Sequence, residues 1–236
     1  MLNMRKLVIL LVSALVPFAS SAATYKRAEL KEAKAGWYEA KLSYAIFSGS
    51  SLATAANRSY AEEMVKLKQF VQQSKEFQKE ETGKPENPNY YDAGGHVTMD
   101  RPDLIAVDYP IDEFLGGAHG NQFFRPYCYG IVQGRPVRLT IKNIMRPGID
   151  ALNSINKVLL AKLRKDERAA WIEDGTVKSV TLQQANRFSL TAKGLHFVFD
   201  PYEMGPYAAG PIDVDVSFRE LRPYLNPNGP LHSLLR

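Results

Sequence analysis

Ile212-Asp213-Val214-Asp215-Val216-Ser217-Phe218 alternates apolar and polar side chains without a break. Successive side chains of a strand point to opposite faces, so Ile212, Val214, Val216 and Phe218 are expected on a core and Asp213, Asp215 and Ser217 in solvent. Ser217 and Glu220 have the spacing of a capping box for a short turn through Leu221. Leu195 to Phe199 reads as a preceding strand. Between the two runs lies Asp200-Pro201-Tyr202-Glu203-Met204-Gly205-Pro206-Tyr207-Ala208-Ala209-Gly210, where proline and glycine surround two tyrosines. Such a segment is a constrained loop that holds rings in set directions. A second stretch of this kind, Gly116-Gly117-Ala118-His119-Gly120-Asn121, places an imidazole among glycine and alanine.

Strand signals also occupy Trp37 to Phe47, His96 to Met99, Leu104 to Tyr109, Gln122 to Val132 and Val137 to Ile141, the last two joined by a Gln133-Gly134 hairpin turn. On the first of these, Ala40, Leu42, Tyr44 and Ile46 form the apolar side. A long helix follows the glycine-serine turn at Ser48 to Ser51. Ser59 and Glu62 read as its capping box, Met64, Leu67, Phe70 or Val71, Ser74 and Phe77 as its inner face, and Glu63, Glu76 and Glu80 with four lysines as its solvated face. A second helix spans Ile149 to Lys165, with Leu152, Ile155, Val158, Leu159 and Leu163 inward. Thr82 to Asp92, rich in proline, asparagine and acidic residues, marks a boundary between an N-terminal strand-helix module, 24–92, and a larger C-terminal domain, 93–236. Strands outnumber helices and connect locally, which predicts an α+β fold of mostly antiparallel sheet with packed helices.

Residues 1–23 read as an export signal. Met4-Arg5-Lys6 is a basic start, Leu7 to Phe18 an apolar run too short for a bilayer, and Ser20-Ser21-Ala22-Ala23 a small-residue cleavage site. Export to the periplasm or the medium is the expectation, with no transmembrane anchor. Cleavage would leave 28 basic against 25 acidic residues, a net charge of +3 in place of +5. That surplus is mild and unclustered, so nucleic acid is not an expected partner. The single cysteine, Cys128, sits in an apolar strand pattern and reads as a small core filler.

Among residues that could carry chemistry, His119 has Asp108, Asp112 and Glu113 within reach in sequence and His96 as a histidine companion. No metal-ligand spacing or cofactor motif accompanies them, so His119 is expected to shape its loop. Asp213 and Asp215 share a strand face, where like charges more often protect an edge than form an acid/base pair. Tyr202 and Tyr207 are better suited to recognition. The two prolines reduce the entropy lost on binding, and tyrosine is common in interface hot spots. Tyr207, in the middle of the turn, is expected to be the more exposed.

The two glycine-rich motifs, in this order and leading into Ile212 to Phe218, resemble a bacterial extracytoplasmic family of unknown chemistry. It includes RsiV-like ectodomains, the lysozyme-sensing parts of anti-sigma factors, and accessory domains of peptidoglycan deacetylases. The resemblance covers about Val97 to Leu225. It implies an exported binding protein that recognises a lysozyme-like muramidase or cell-wall component, through Gly116, Gly117, His119 and Gly120 on one loop and Tyr202, Gly205, Pro206 and Tyr207 on the other. The competing reading is a small peptidoglycan-modifying hydrolase centred on His119.

Overall fold

The computed structural model describes residues 8–10 and 24–235. The strands are β1 (Val8–Leu10), β2 (Thr24–Lys34), β3 (Tyr38–Ser48), β4 (Asn89–Gly94), β5 (His96–Asp100), β6 (Leu104–Phe114), β7 (Asn121–Val132), β8 (Arg135–Arg138), β9 (Phe188–Leu190), β10 (Gly194–Phe199) and β11 (Ile212–Ser217). The helices are α1 (Ser51–Ala56), α2 (Arg58–Glu80), α3 (Ile141–Ile144), α4 (Ala151–Leu163), α5 (Ala170–Glu173), α6 (Leu182–Ala185) and α7 (Phe218–Leu221). The fold is α+β. A large sheet in the order β1-β2-β3-β4-β6-β7-β8, with β5 also on β6, is antiparallel except for the β3–β4 pair, and a second sheet runs β11-β10-β9. Apart from Val8–Leu10, which pairs with β2, the expected export signal lies outside the described residues.

The central strands serve two cores, because alternate residues face opposite ways. Ile105, Val107 and Tyr109 of β6 and Tyr127 and Tyr129 of β7 pack against α1, α2 and β3. Leu104, Ala106 and Cys128 face the other way, onto α4, β9, β10 and β11. There Ile212, Val214 and Val216 are buried and Asp213 and Asp215 exposed, as the alternation predicts, while Phe218 is half-buried at the start of α7. The Ser217 and Glu220 capping box is present. The Gln133-Gly134 turn has φ of 50° and 75°, the left-handed conformation that suits a two-residue hairpin.

Three sequence expectations are corrected. The long helix begins at Arg58 after the separate helix α1, and Ser59 does not cap it; the buried Ser59 hydroxyl donates to the Ala56 carbonyl. Asn57 between the helices is occupied with the end of β3, accepting from Phe47 N at 2.8 Å and donating to Phe47 O at 2.9 Å. The alternation of β3 fails beyond Tyr44, where Ala45 and Phe47 are buried and Ile46 is half-buried, because both faces of this end are covered. Glu63, placed by pattern on the solvated face of the helix, is fully buried.

The stretch 82–92 contains the start of β4, which hydrogen-bonds to β3 on one side and β6 on the other. The large sheet is therefore continuous through it.

Candidate functional site

The 200–210 loop leaves β10 and meets the turn that ends β6. The Tyr207 ring stacks on the His119 imidazole, centroids 3.8 Å apart and planes 23° from parallel. Its hydroxyl donates to the Gly120 carbonyl at 2.6 Å, and His119 Nδ1 lies 2.9 Å from the same oxygen. The two motifs singled out in the sequence thus form one surface. Tyr202 lies 5.6 Å from Tyr207 and 6.5 Å from Trp171, centroid to centroid, so the rings continue as Trp171, Tyr202, Tyr207 and His119.

Exposure along this row differs from expectation. Tyr202 is 56% exposed, whereas Tyr207 is half-buried against His119. Tyr202 also has φ of 70°, a left-handed conformation that costs a side-chain-bearing residue energy and persists only where its surroundings impose it. The neighbours that impose it are clear. A Cβ at Gly205 would come 2.3 Å from the Arg168 carbonyl oxygen, so only glycine lets the loop sit this close to the segment before α5. Trp171 N donates to Met204 O at 3.1 Å across the same contact. At the loop's base Arg187 donates to Asp200 Oδ2 at 2.9 Å and to Glu203 Oε2, and Glu203 also accepts from Asp200 N at 2.8 Å. On the opposing turn Gly116 and Gly117 have φ of 90° and 94°, with open space where a side chain would be, so glycine is needed there for conformation. Pro206 is exposed beside Tyr207.

Two of the three carboxylates proposed as companions for His119 are hydrogen-bonded elsewhere. Asp112 accepts from Gln122 at 3.2 Å, and half-buried Glu113 has its pKa raised by burial. Asp108 is buried against the C-terminal core and accepts from the Ser189 hydroxyl at 2.6 Å. Its other oxygen has no hydrogen-bond partner among the described residues. Burial pushes its pKa up to about 6, opposed in part by Ser189 and by His196. Asp213 and Asp215 lie on β11, at the edge of the small sheet, and Asp215 accepts or shares a proton with His196 Nδ1 at 2.8 Å. Among the described residues no three His, Cys, Asp or Glu side chains converge as metal ligands. Cys128 is buried, its thiol donating to Phe188 O at 3.2 Å and its pKa raised by burial, which suits a core filler.

Sequence reasoning missed a second cluster, around Glu63. This fully buried carboxylate accepts from Tyr91 at 3.2 Å, Tyr127 at 2.5 Å and Arg125 Nη1 at 2.9 Å, tying α2 to β4 and β7. Burial, then the Glu63 charge, raises the pKa of both tyrosines. Spacing held the signal. Glu63 is four residues before Leu67 and four after Ser59, on the inner stripe of the helix.

Residues 31–122 match a family described as Deacetylase PdaC, and residues 142–219 match one described as Protein of unknown function (DUF3298). A crystal structure of a DUF3298 family member from Bacteroides fragilis is similar at TM-score 0.58 and 17% identity, over 91% of this chain and 97% of that one. A DUF3298 family protein from Pseudomonas aeruginosa gives TM-score 0.53 at 15% identity, over 95% and 96%. At such identities the likeness is one of fold. No curated protein matches the chain. Among the described residues no helix is long and apolar enough to cross a membrane. The two matched families are compatible with a domain associated with the cell wall.

Proposed function

We propose that this is an exported binding protein of the cell envelope that recognises a wall-directed partner, a lysozyme-like muramidase, through the 200–210 loop beside the Gly116 to Gly120 turn. The observation that carries the reading is the Tyr207–His119 stack with its hydroxyl bond to Gly120. It joins the two loops and leaves Tyr202 exposed, in a conformation set by its neighbours. A ring presented in this way loses little entropy on binding, and its apolar face with a polar tip suits the centre of an interface. Tyr207 and His119 are the support in this reading, and Tyr202 and Pro206 make contact. The RsiV-like resemblance implies the same loops. His119 is hydrogen-bonded to backbone and stacked on a phenol, an arrangement that supports a shaping role.

Calorimetric titration of the protein with a lysozyme tests the reading. Binding at micromolar concentration is expected, with Tyr202→Ala weakening it by about thirty-fold, the loss of about 2 kcal/mol typical of a hot-spot tyrosine. Absence of binding, or an unchanged affinity in a folded Tyr202→Ala protein, would reject it.

A further inference from the structure

Beside the aromatic row, β7, the end of β8 and the stretch around α6 enclose an open cleft of about 530 Å³, within the range of small-ligand sites. Arg125 comes to it from β7, Arg138 from the end of β8 and Arg187 from the turn between α6 and β9. Phe124 supplies an apolar wall, and Gln183 and Asn186 supply amides. Among the described residues Gln183 makes no side-chain hydrogen bond, while the Asn186 oxygen accepts from Ile141 N at 3.0 Å.

Each guanidinium is held in place. Arg125 is fixed by Glu63, Arg187 by Asp200 and Glu203, and Arg138 by Glu62 at 3.1 Å with its plane 4.3 Å over the Tyr127 ring. A guanidinium has five N–H donors, so donors remain on Arg125 beside its bond to Glu63 and on Arg138 beside its bonds to Glu62 and to the Pro126 carbonyl at 3.3 Å. The Arg125 side chain is 27% exposed while Glu63 is 0% exposed, so a ligand there meets the cation and not its partner. Arginine forks match carboxylates in two-point geometry. Glu63 and Glu62 balance Arg125 and Arg138 one for one, and Arg187 already faces two carboxylates, Asp200 and Glu203, so the cleft suits a single negative charge better than the double charge of a phosphate.

We infer that this cleft binds a sugar acid, a pyranose carrying one carboxylate. Arg125 and Arg138 take the carboxylate, the ring's C–H face lies on the aromatic wall, and the amides of Gln183 and Asn186 take hydroxyls. Because Arg187 clamps both Asp200 and Glu203, the cleft floor and the base of the tyrosine loop are one construction, although the inference does not depend on what the loop itself binds.

The test is calorimetric titration of the whole protein with D-glucuronate, D-glucose and inorganic phosphate at low salt. Saturable glucuronate binding is expected in the millimolar range or tighter. Glucose, which lacks the carboxylate, and phosphate should each bind at least about ten-fold more weakly, the loss expected for a charged hydrogen bond. Arg138→Gln should weaken glucuronate by a similar factor and leave the thermal melt nearly unchanged; should it fail to fold, Arg138→Lys, which keeps charge without the fork, takes its place. Side-chain amide resonances of Gln183 and Asn186 should shift on titration. Tyr202→Ala should leave glucuronate binding intact, which separates this site from the loop. No saturation at millimolar concentrations, equal binding of glucose or of phosphate, or amide shifts confined to other residues would each overturn the inference.

Discussion

Replacing Asp108 by asparagine should change how stability depends on pH. The carboxyl is buried, and its folded-state pKa of about 6 stands above the ordinary 3.8. A raised carboxyl pKa means that the folded state holds its proton more tightly than the unfolded state does. Its contribution is therefore most favourable below pH 3.8 and declines as pH rises through about 6. At neutral pH the full shift of roughly two pH units corresponds to about 3 kcal/mol of lost stability. Between pH 5 and pH 7.5 the same linkage gives a loss of about 1.4 kcal/mol, or about 3 to 6 °C in melting temperature for a chain of this size. Other groups titrate in this window, so the quantity to measure is the difference between the wild type and Asp108→Asn, in urea unfolding at both pH values. Asparagine keeps the acceptor for Ser189 but does not ionise. Its stability relative to wild type should rise by about 1.4 kcal/mol on going from pH 5 to pH 7.5. A difference independent of pH would show that Asp108 ionises normally and that its burial against the second core is misjudged.

Glu63→Ala should cost about 3 kcal/mol in urea unfolding, because it leaves Arg125 and two tyrosine hydroxyls without their shared acceptor; a loss under about 1 kcal/mol would mean that the cluster contributes little. Gly205→Ala should lower stability by about 1 to 3 kcal/mol, since the loop must move off the Arg168 carbonyl, and an unchanged melt would contradict that close approach. Val214→Asp should reduce stability by several kcal/mol while Asp213→Val stays near neutral, and equal effects in thermal melts would refute the assigned faces of β11.

Where one face of an element is buried and the other wet, its residues announce the arrangement. β11 and α4 were legible in this way: Ile155, Leu159 and Leu163 are buried on the helix as their spacing requires. So was the special backbone of the two loops, since glycine and proline mark it directly. Short elements whose support is tertiary were not legible. β9 has three residues, all buried, with no alternation to read, and α3 rests on a Thr140 capping box with asparagine in place of glutamate. The contact between the two loops spans 87 positions and could not be foreseen from either. Exposure of the tyrosines followed from that contact. Tyr207 is half-covered because the exposed His119 imidazole stacks on it, and nothing local to residues 200–210 encodes the imidazole. Glu63 was misplaced for a related reason: its burial is tolerable only because Tyr91, Tyr127 and Arg125 converge on it from distant strands.

β7 has a position that bears on how the protein can be handled. It runs over Asn121–Val132, and most of it falls between the segments 31–122 and 142–219 that match the two families. Its odd-numbered tyrosines, 127 and 129, belong to one core and its Cys128 to the other. Taking the 31–122 segment by itself would strip β6 of the neighbour it pairs with from Leu104 to Glu113, leaving a long open edge of the kind that seeds aggregation. The two halves should accordingly unfold in a single transition, and expression of one without β7 should yield insoluble chain.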